Sequence, residues 1–277
     1  LFACLPKAIP PVSTQPVKIA VVLGAGVSRG FAHVGVLKIL ETQKVPIHLI
    51  VGTSVGSFVG SIYCSGIDAF HVQKMALALQ KEDVFDLTIP DNGFVRGEKL
   101  ENYVNKSVRN AAIEQLKIPF RAVATNIQSG EEVVFGMGNT GMAVRASCSI
   151  PGVFQPVRIG DTSYVDGGVV SPVPVDAARK AGADVVIAVD LSAGAARSIP
   201  QGIIETILQS VDIMYAKIAE VQVRNADVVI RPRVGHIRSS DFNRRHEAIL
   251  EGEKAAAEAM GQIQQILGRL RQEGRLP

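Results

Sequence analysis

Leu49-Ile50-Val51-Gly52-Thr53-Ser54-Val55-Gly56 is the stretch that decides the fold. Val45–Val51 is an apolar, β-branched run of the kind that forms a buried strand, and it stops at a glycine. Gly56–Ser65 continues as a helix of small residues. Ser54 therefore stands at a strand-to-helix turn, with Gly52 and Gly56 two residues away on either side. This G-x-S-x-G spacing is that of a nucleophile elbow. The glycines leave room for the neighbouring strand and helix, and the hydroxyl projects at a helix N-terminus, whose dipole favours developing negative charge. Two other readings exist. Ser54 could simply cap the helix. Leu49 to Ile67 also carries no charge and repeats Gly52, Gly56 and Gly60 at small-xxx-small spacing, as in packed membrane helices. Its Gly, Ser and Thr content keeps hydrophobicity modest, so a strand–turn–helix explains it better.

The same alternation extends in both directions. Strands are expected at Val17–Leu23, Phe120–Thr125, Glu131–Phe135, Thr162–Val165, Val185–Asp190 and Val228–Ile230. Helices are expected at Phe31–Thr42, Phe70–Gln80, Arg96–Ala111, Val175–Ala181, Ile203–Val223 and Arg244–Arg271. Strands alternating with helices mean βαβ units and a mainly parallel sheet covered on both faces. No linker divides residues 17–277, which read as one domain behind a Pro-rich tether at 1–16. A site in such a sheet lies at the carboxyl ends of the strands.

Two further strand ends carry chemistry. Gly24-Ala25-Gly26-Val27-Ser28-Arg29-Gly30 follows the first strand. A dinucleotide loop needs G-x-G-x-x-G, and here the last glycine falls one place late, so a phosphate cradle is the weaker reading. The stronger one is an oxyanion hole built from the amides of Gly26, Val27 and Ser28, brought beside Ser54 by an adjacent parallel strand. Gly24, Arg29 and Gly30 support that loop. Arg29 adds positive charge nearby, or else forms a structural salt bridge. The other strand end is Asp166-Gly167-Gly168, where Asp166 is a candidate general base for Ser54, although Asp-Gly alone is also a turn signal. Of the five histidines, His236 or His246 could close a Ser-acid-His triad. Neither sits in a supporting motif, and the serine follows only the second strand, so a Ser54–Asp166 dyad fits better. His33 lies near the Gly-rich loop and packs in a helix.

Composition narrows the function classes. The chain has 277 residues, 47% hydrophobic and 20% charged, enough apolar content for a large core. Lys and Arg number 29 against 26 Asp and Glu, a net charge of +3 with no basic run, and Trp is absent. A nucleic-acid partner is therefore not expected. Three cysteines (Cys4, Cys64 and Cys148) make no disulfide framework and no zinc spacing, so a structural zinc site is not expected, and no cofactor is expected either. Leu1-Phe2-Ala3-Cys4 resembles the end of a bacterial lipoprotein signal, with Phe2 departing from the small-residue preference. Lipidation at Cys4 would place the protein on a membrane facing the periplasm. The alternative is an ordinary tail on a cytoplasmic protein.

Taken together, these residues resemble the patatin-like phospholipase family over about Lys18 to Arg271, and bacterial forms most. The resemblance rests on the Gly-rich loop with Arg29-Gly30, the Gly-Thr-Ser-x-Gly elbow and Asp166-Gly167-Gly168, in that order. Phe31-Ala32-His33-Val34-Gly35-Val36-Leu37 and Ala146-Ser147-Cys148-Ser149-Ile150-Pro151-Gly152-Val153-Phe154 are also similar to family segments. It implies a three-layer α/β/α patatin-like fold and metal-free hydrolysis of lipid acyl esters, with a lipid or membrane-surface partner. In it Ser54 is the nucleophile, Asp166 the base, and the Gly26–Ser28 amides the oxyanion hole. One departure stands out. Val27 occupies a position where many members carry glycine, and a β-branched residue is strained there if φ is positive. The alternatives are a nucleotide-binding protein using Gly24–Gly30, a scaffold of this fold with weak turnover, and an acyltransferase sharing the elbow.

Overall fold

The computed structural model describes residues 16–89, 92–192, 194 and 199–276. The expected tether, Cys4 included, lies almost wholly outside them. Eight strands form one sheet: β1 (Ile19–Leu23), β2 (Leu49–Thr53), β3 (Phe120–Asn126), β4 (Glu132–Phe135), β5 (Val157–Ile159), β6 (Thr162–Asp166), β7 (Val185–Val189) and β8 (Val228–Ile230). Among the described residues, eight α-helices accompany them: α1 (Phe31–Thr42), α2 (Val55–Cys64), α3 (Ala69–Ala78), α4 (Glu98–Ser107), α5 (Thr140–Ser147), α6 (Val175–Lys180), α7 (Ile203–Gln222) and α8 (Arg245–Gln272).

The central strands run parallel in the order β3-β2-β1-β7-β8. Alternation along β1 builds the layers. Ile19, Val21 and Leu23 join the larger core beside α1, α2 and α8, whereas Ala20 and Val22 face a core of small residues beneath α6 and the end of α7. This is the expected three-layer α/β/α arrangement.

The remaining strands are antiparallel, and their register sets up the site. Ala122 and Val123 pair with β4 on one edge of β3 and with β2 on the other. Ala124 and Thr125 pair with β4 on one edge and β6 on the other. A strand has only two edges, so β2 and β6 meet end to end along the same edge of β3. Thr53 sits opposite Val123 and Asp166 opposite the next residue, Ala124.

The sequence reading placed most elements to within a few residues. The β2 strand begins at Leu49, so Val45, Pro46, Ile47 and His48 of the expected run lie outside it. The α4 helix is shorter than the expected Arg96–Ala111: Gly97, at φ +80, caps its start. Two elements went unread. The α5 helix is short and lacks an apolar stripe, although its Asn139 cap, accepting from Met142 N at 2.7 Å, is a legible start signal. The β5 strand is three residues with a charged centre.

Candidate functional site

Ser54 directly follows β2 and occupies the N-cap position of α2 with φ +55 and ψ −128. A non-glycine residue there is strained, and such strain gathers at functional turns. The simple capping role is not what the structure shows, because the Ser54 side chain makes no cap hydrogen bond. The turn is enforced from both sides. A Cβ on Gly56 would collide with the carbonyl of Leu23, and one on Gly52 with the backbone of Gly56 and Ser57. Ser54 N donates to Ser147 Oγ at 2.9 Å, which in turn donates to the Val123 carbonyl at 2.6 Å. Ser147 thus ties the elbow to β3.

Asp166 arrives at the same place from the opposite direction. Its amide donates to Ser149 O at 2.8 Å, its carbonyl accepts from Thr125 Oγ1 at 2.9 Å, and its Oδ1 accepts from Gly168 N at 2.7 Å. The carboxyl is fully buried, and burial pushes its pKa up to about 6. The Ser54 hydroxyl, the Gly168 amide and the Tyr215 hydroxyl each draw it back down. Neither hydroxyl is aligned into a full hydrogen bond, however, and Oδ2 is left buried without a partner. Ser54 and Asp166 therefore face one another with no histidine between them.

Four of the five histidines are occupied elsewhere, and His246, the other triad candidate, stands in the first turn of α8. His236 Nε2 pairs with Glu247 Oε1 at 2.6 Å, His48 accepts from Ile19 N, and His71 pairs with Asp68. His33, buried in α1, donates from Nε2 to the Gly24 carbonyl at 2.7 Å. Burial pushes its pKa down to about 4, so at neutral pH it is an uncharged clamp on the Gly-rich loop.

That loop lies beside the elbow because β1 and β2 are parallel neighbours, with Leu23 opposite Gly52. Among the described residues, no backbone acceptor pairs with the N–H groups of Gly26, Val27 or Ser28. Val27 has φ +48, so the β-branched side chain does sit in the left-handed region. Arg29 resolves to the structural alternative. It is buried, with Nη2 on Asp212 Oδ2 at 2.5 Å and Ser239 Oγ at 3.0 Å, and Nε on Ile237 O at 2.9 Å. Its charge is committed to Asp212 and not offered to the site. Ser28 Oγ is likewise committed, to Arg238 O.

Ser54 is only 3% exposed, and what it meets is a cleft of about 850 Å³, counting the space at its open mouth. The walls are almost wholly apolar. They come from Phe31 and Val34 of α1, Phe58 and Ile62 of α2, Val72 and Met75 of α3, and Phe85, Phe154 and Phe242 from loops. Val27 and Cys148 line it beside Ser54, and burial pushes the Cys148 thiol well above its ordinary range. The sequence reading missed the roles of Ser147 and Tyr215. Ser147 stood inside a quoted segment with no spacing to mark it, and Tyr215 read only as part of an apolar stripe.

Fold and site together define an α/β/α protein with a strained serine at a strand–helix turn over an apolar cleft. The family model for patatin-like phospholipase matches residues 21–179, and the chain belongs to that family. An uncharacterised NTE family protein of Mycobacterium tuberculosis is 38% identical over 190 residues, 67% of this chain and 52% of the relative. Patatin-like phospholipase domain-containing protein 6 of Homo sapiens is 35% identical over 62% of this chain, which covers 13% of that protein. Lysophospholipase NTE1 of Debaryomyces hansenii is 34% identical, with coverage of 62% and 12%. The chain thus spans about half of the mycobacterial relative and a small part of the other two. VipD from Legionella pneumophila shares the fold, with TM-score 0.60 at 13% identity over 91% of this chain and 67% of VipD.

Proposed function

We propose that the protein hydrolyses acyl esters of lipids, with Ser54 as nucleophile and Asp166 as general base. The observation that carries this reading is the end-to-end meeting of β2 and β6, which sets an uncapped serine hydroxyl against a buried carboxyl at the wall of an apolar cleft. Ser54 Oγ attacks the ester carbonyl carbon while its proton passes to Asp166. The amides of Gly26, Val27 and Ser28 hold the oxyanion, and the α2 N-terminus adds its dipole. The intermediate collapses, and the leaving alkoxide takes the proton back from Asp166. Water then attacks the acyl-serine by the same route, releasing the fatty acid. A carboxyl with a pKa of about 6 suits both duties, being ionised at neutral pH yet basic enough to hold a proton in transit.

The walls fit an acyl chain better than a nucleotide. The nucleotide alternative would also need a cation at Gly24–Gly30, where Arg29 is already paired with Asp212. Contact with a membrane surface, and a periplasm-facing lipoprotein attached through Cys4, belong to the same proposal. The first four residues support it, and mass spectrometry of the natively expressed N-terminus tests it.

The central experiment compares labelling by a fluorophosphonate probe and hydrolysis of p-nitrophenyl butyrate in wild type and Ser54→Ala. Wild type labels and turns over, and the variant does neither. Labelling that survives in Ser54→Ala identifies another nucleophile. Labelling of wild type without hydrolysis of any acyl ester points to the weak scaffold that Val27 makes conceivable, and acyl transfer to an added alcohol points to the acyltransferase.

A further inference from the structure

Of the buried polar atoms that lack partners among the described residues, two lie at the Asp-Gly-Gly turn, and they are of opposite kind. Asp166 Oδ2 is an acceptor, fully buried; Tyr215 Oη, on α7 and 4% exposed, is a donor. Buried polar atoms are normally satisfied, so a facing donor and acceptor that both lack partners call for an explanation. The second glycine of Asp166-Gly167-Gly168 gives one. A Cβ on Gly168 would strike Cζ, Cε2 and Oη of Tyr215, so the bare backbone there is what admits the phenol next to the carboxyl.

Resting on the hydrolase reading above, we propose that Tyr215 is a positioning residue for Asp166. Its phenol closes onto the open carboxylate oxygen, shares that carboxylate with Ser54, and holds it ionised although the carboxyl is buried.

The surroundings single out this pair. The groups around the Asp166 carboxyl are the Ser54 hydroxyl at the elbow, the Cys148 thiol after α5, the Gly168 amide in its own turn and the Tyr215 hydroxyl on α7. No cation is among them. Arg29, whose partner Asp212 is on the same helix as Tyr215, is closed on that partner. Tyr215 is neutral, since burial and the Asp166 charge hold its phenol well above the ordinary range, so toward the carboxylate it can only donate. A donor to an ionised group favours the ionised form. Asp212 lies three residues before Tyr215, on the same side of α7. One helix face therefore anchors the Gly-rich loop through Arg29 and the base through Tyr215.

The test is Tyr215→Phe, which keeps the ring over Gly168 and deletes only the hydroxyl. The readout is the acid limb of kcat/KM for p-nitrophenyl butyrate against pH, which reports the free enzyme's base. A carboxyl pKa of about 6 puts the expected wild-type limb there. Losing one hydrogen bond to a charged group raises it by about one pH unit. The variant is then about fivefold slower at pH 6 and converges on wild type above about pH 8. A structural role alone would slow the enzyme equally at every pH or not at all, and either result overturns the proposal. Stability gives a second reading that needs no activity. The Tyr215→Phe change in melting temperature is larger at pH 8 than at pH 4.5, and it becomes pH-independent in an Asp166→Asn background. An equal change at both pH values in the parent background also overturns it. Ser54→Ala and Asp166→Asn serve as controls. If Asp166→Asn retains full turnover, the base assignment fails. If both controls are dead and the limb stays put in Tyr215→Phe, only the Tyr215 inference fails.

Discussion

Asp166→Asn should make the protein more stable and inactive, with the gain appearing only as pH rises. Burial lifts the Asp166 pKa from 3.8 to about 6. A carboxyl whose folded pKa is raised favours folding while protonated, and that advantage is lost as pH climbs through the folded pKa. At 1.36 kcal/mol per unit, the gap of about two units means that wild type gives up about 3 kcal/mol between pH 4 and pH 6. Asparagine never ionises. It keeps Oδ1 for the Gly168 amide, and its new amide N–H groups point toward the Ser54 and Tyr215 hydroxyls, both of which can accept. Its melting temperature should match wild type near pH 4 and exceed it by about 6 °C at pH 8, at about 2 °C per kcal/mol for a chain of this size. Thermal melts at pH 4, 5, 6 and 8 measure the difference, and p-nitrophenyl butyrate turnover at pH 8 should be lost in the same variant. A melting difference that is flat with pH, or that favours wild type at pH 8, would show that the Asp166 carboxyl carries no such burial penalty.

Ser147→Ala removes the acceptor of Ser54 N and leaves the Val123 carbonyl short of a donor. It should cost about 1–3 kcal/mol in urea unfolding and slow fluorophosphonate labelling more than it affects the fold. Arg29→Met should cost about 3–5 kcal/mol by stranding Asp212, and Arg29→Met with Asp212→Leu should recover most of it, as a calorimetric double-mutant cycle would register. Val27→Gly relieves a positive φ worth about 1–3 kcal/mol against about 1 kcal/mol of added chain entropy, so it should be neutral to stabilising with kcat unchanged or raised; a clear loss of stability contradicts the strain. Gly168→Ala drives a methyl into the Tyr215 ring and should lower both melting temperature and turnover.

Much of the site could be read from local pattern. The strand-end glycines, the serine between them and the order of loop, elbow and Asp-Gly-Gly were legible because a tight strand–helix turn demands those residue types at fixed spacing. The departure at Val27 was also visible, since a β-branched residue at a glycine position carries its own steric warning. Arg29 was different. Its sequence neighbourhood suits a free charge beside an oxyanion loop equally well, and its partners, Asp212, Ser239 and Ile237, come from far along the chain.

Hydrophobic period and turn chemistry are local properties, so the sequence alone determined the alternation of strands and helices, the buried first two strands and the strained turn at Ser54. Pairing between distant strands is not a local property. Whether Asp166 reaches Ser54 depends on β6 continuing the edge of β3 where β2 stops. Whether Tyr215 reaches Asp166 depends on α7 packing over Gly168. Both contacts join segments whose separation along the chain leaves no periodicity to read. Only the assembled sheet, in which each strand edge accepts one partner at a time, brings serine, carboxyl and phenol to the same point.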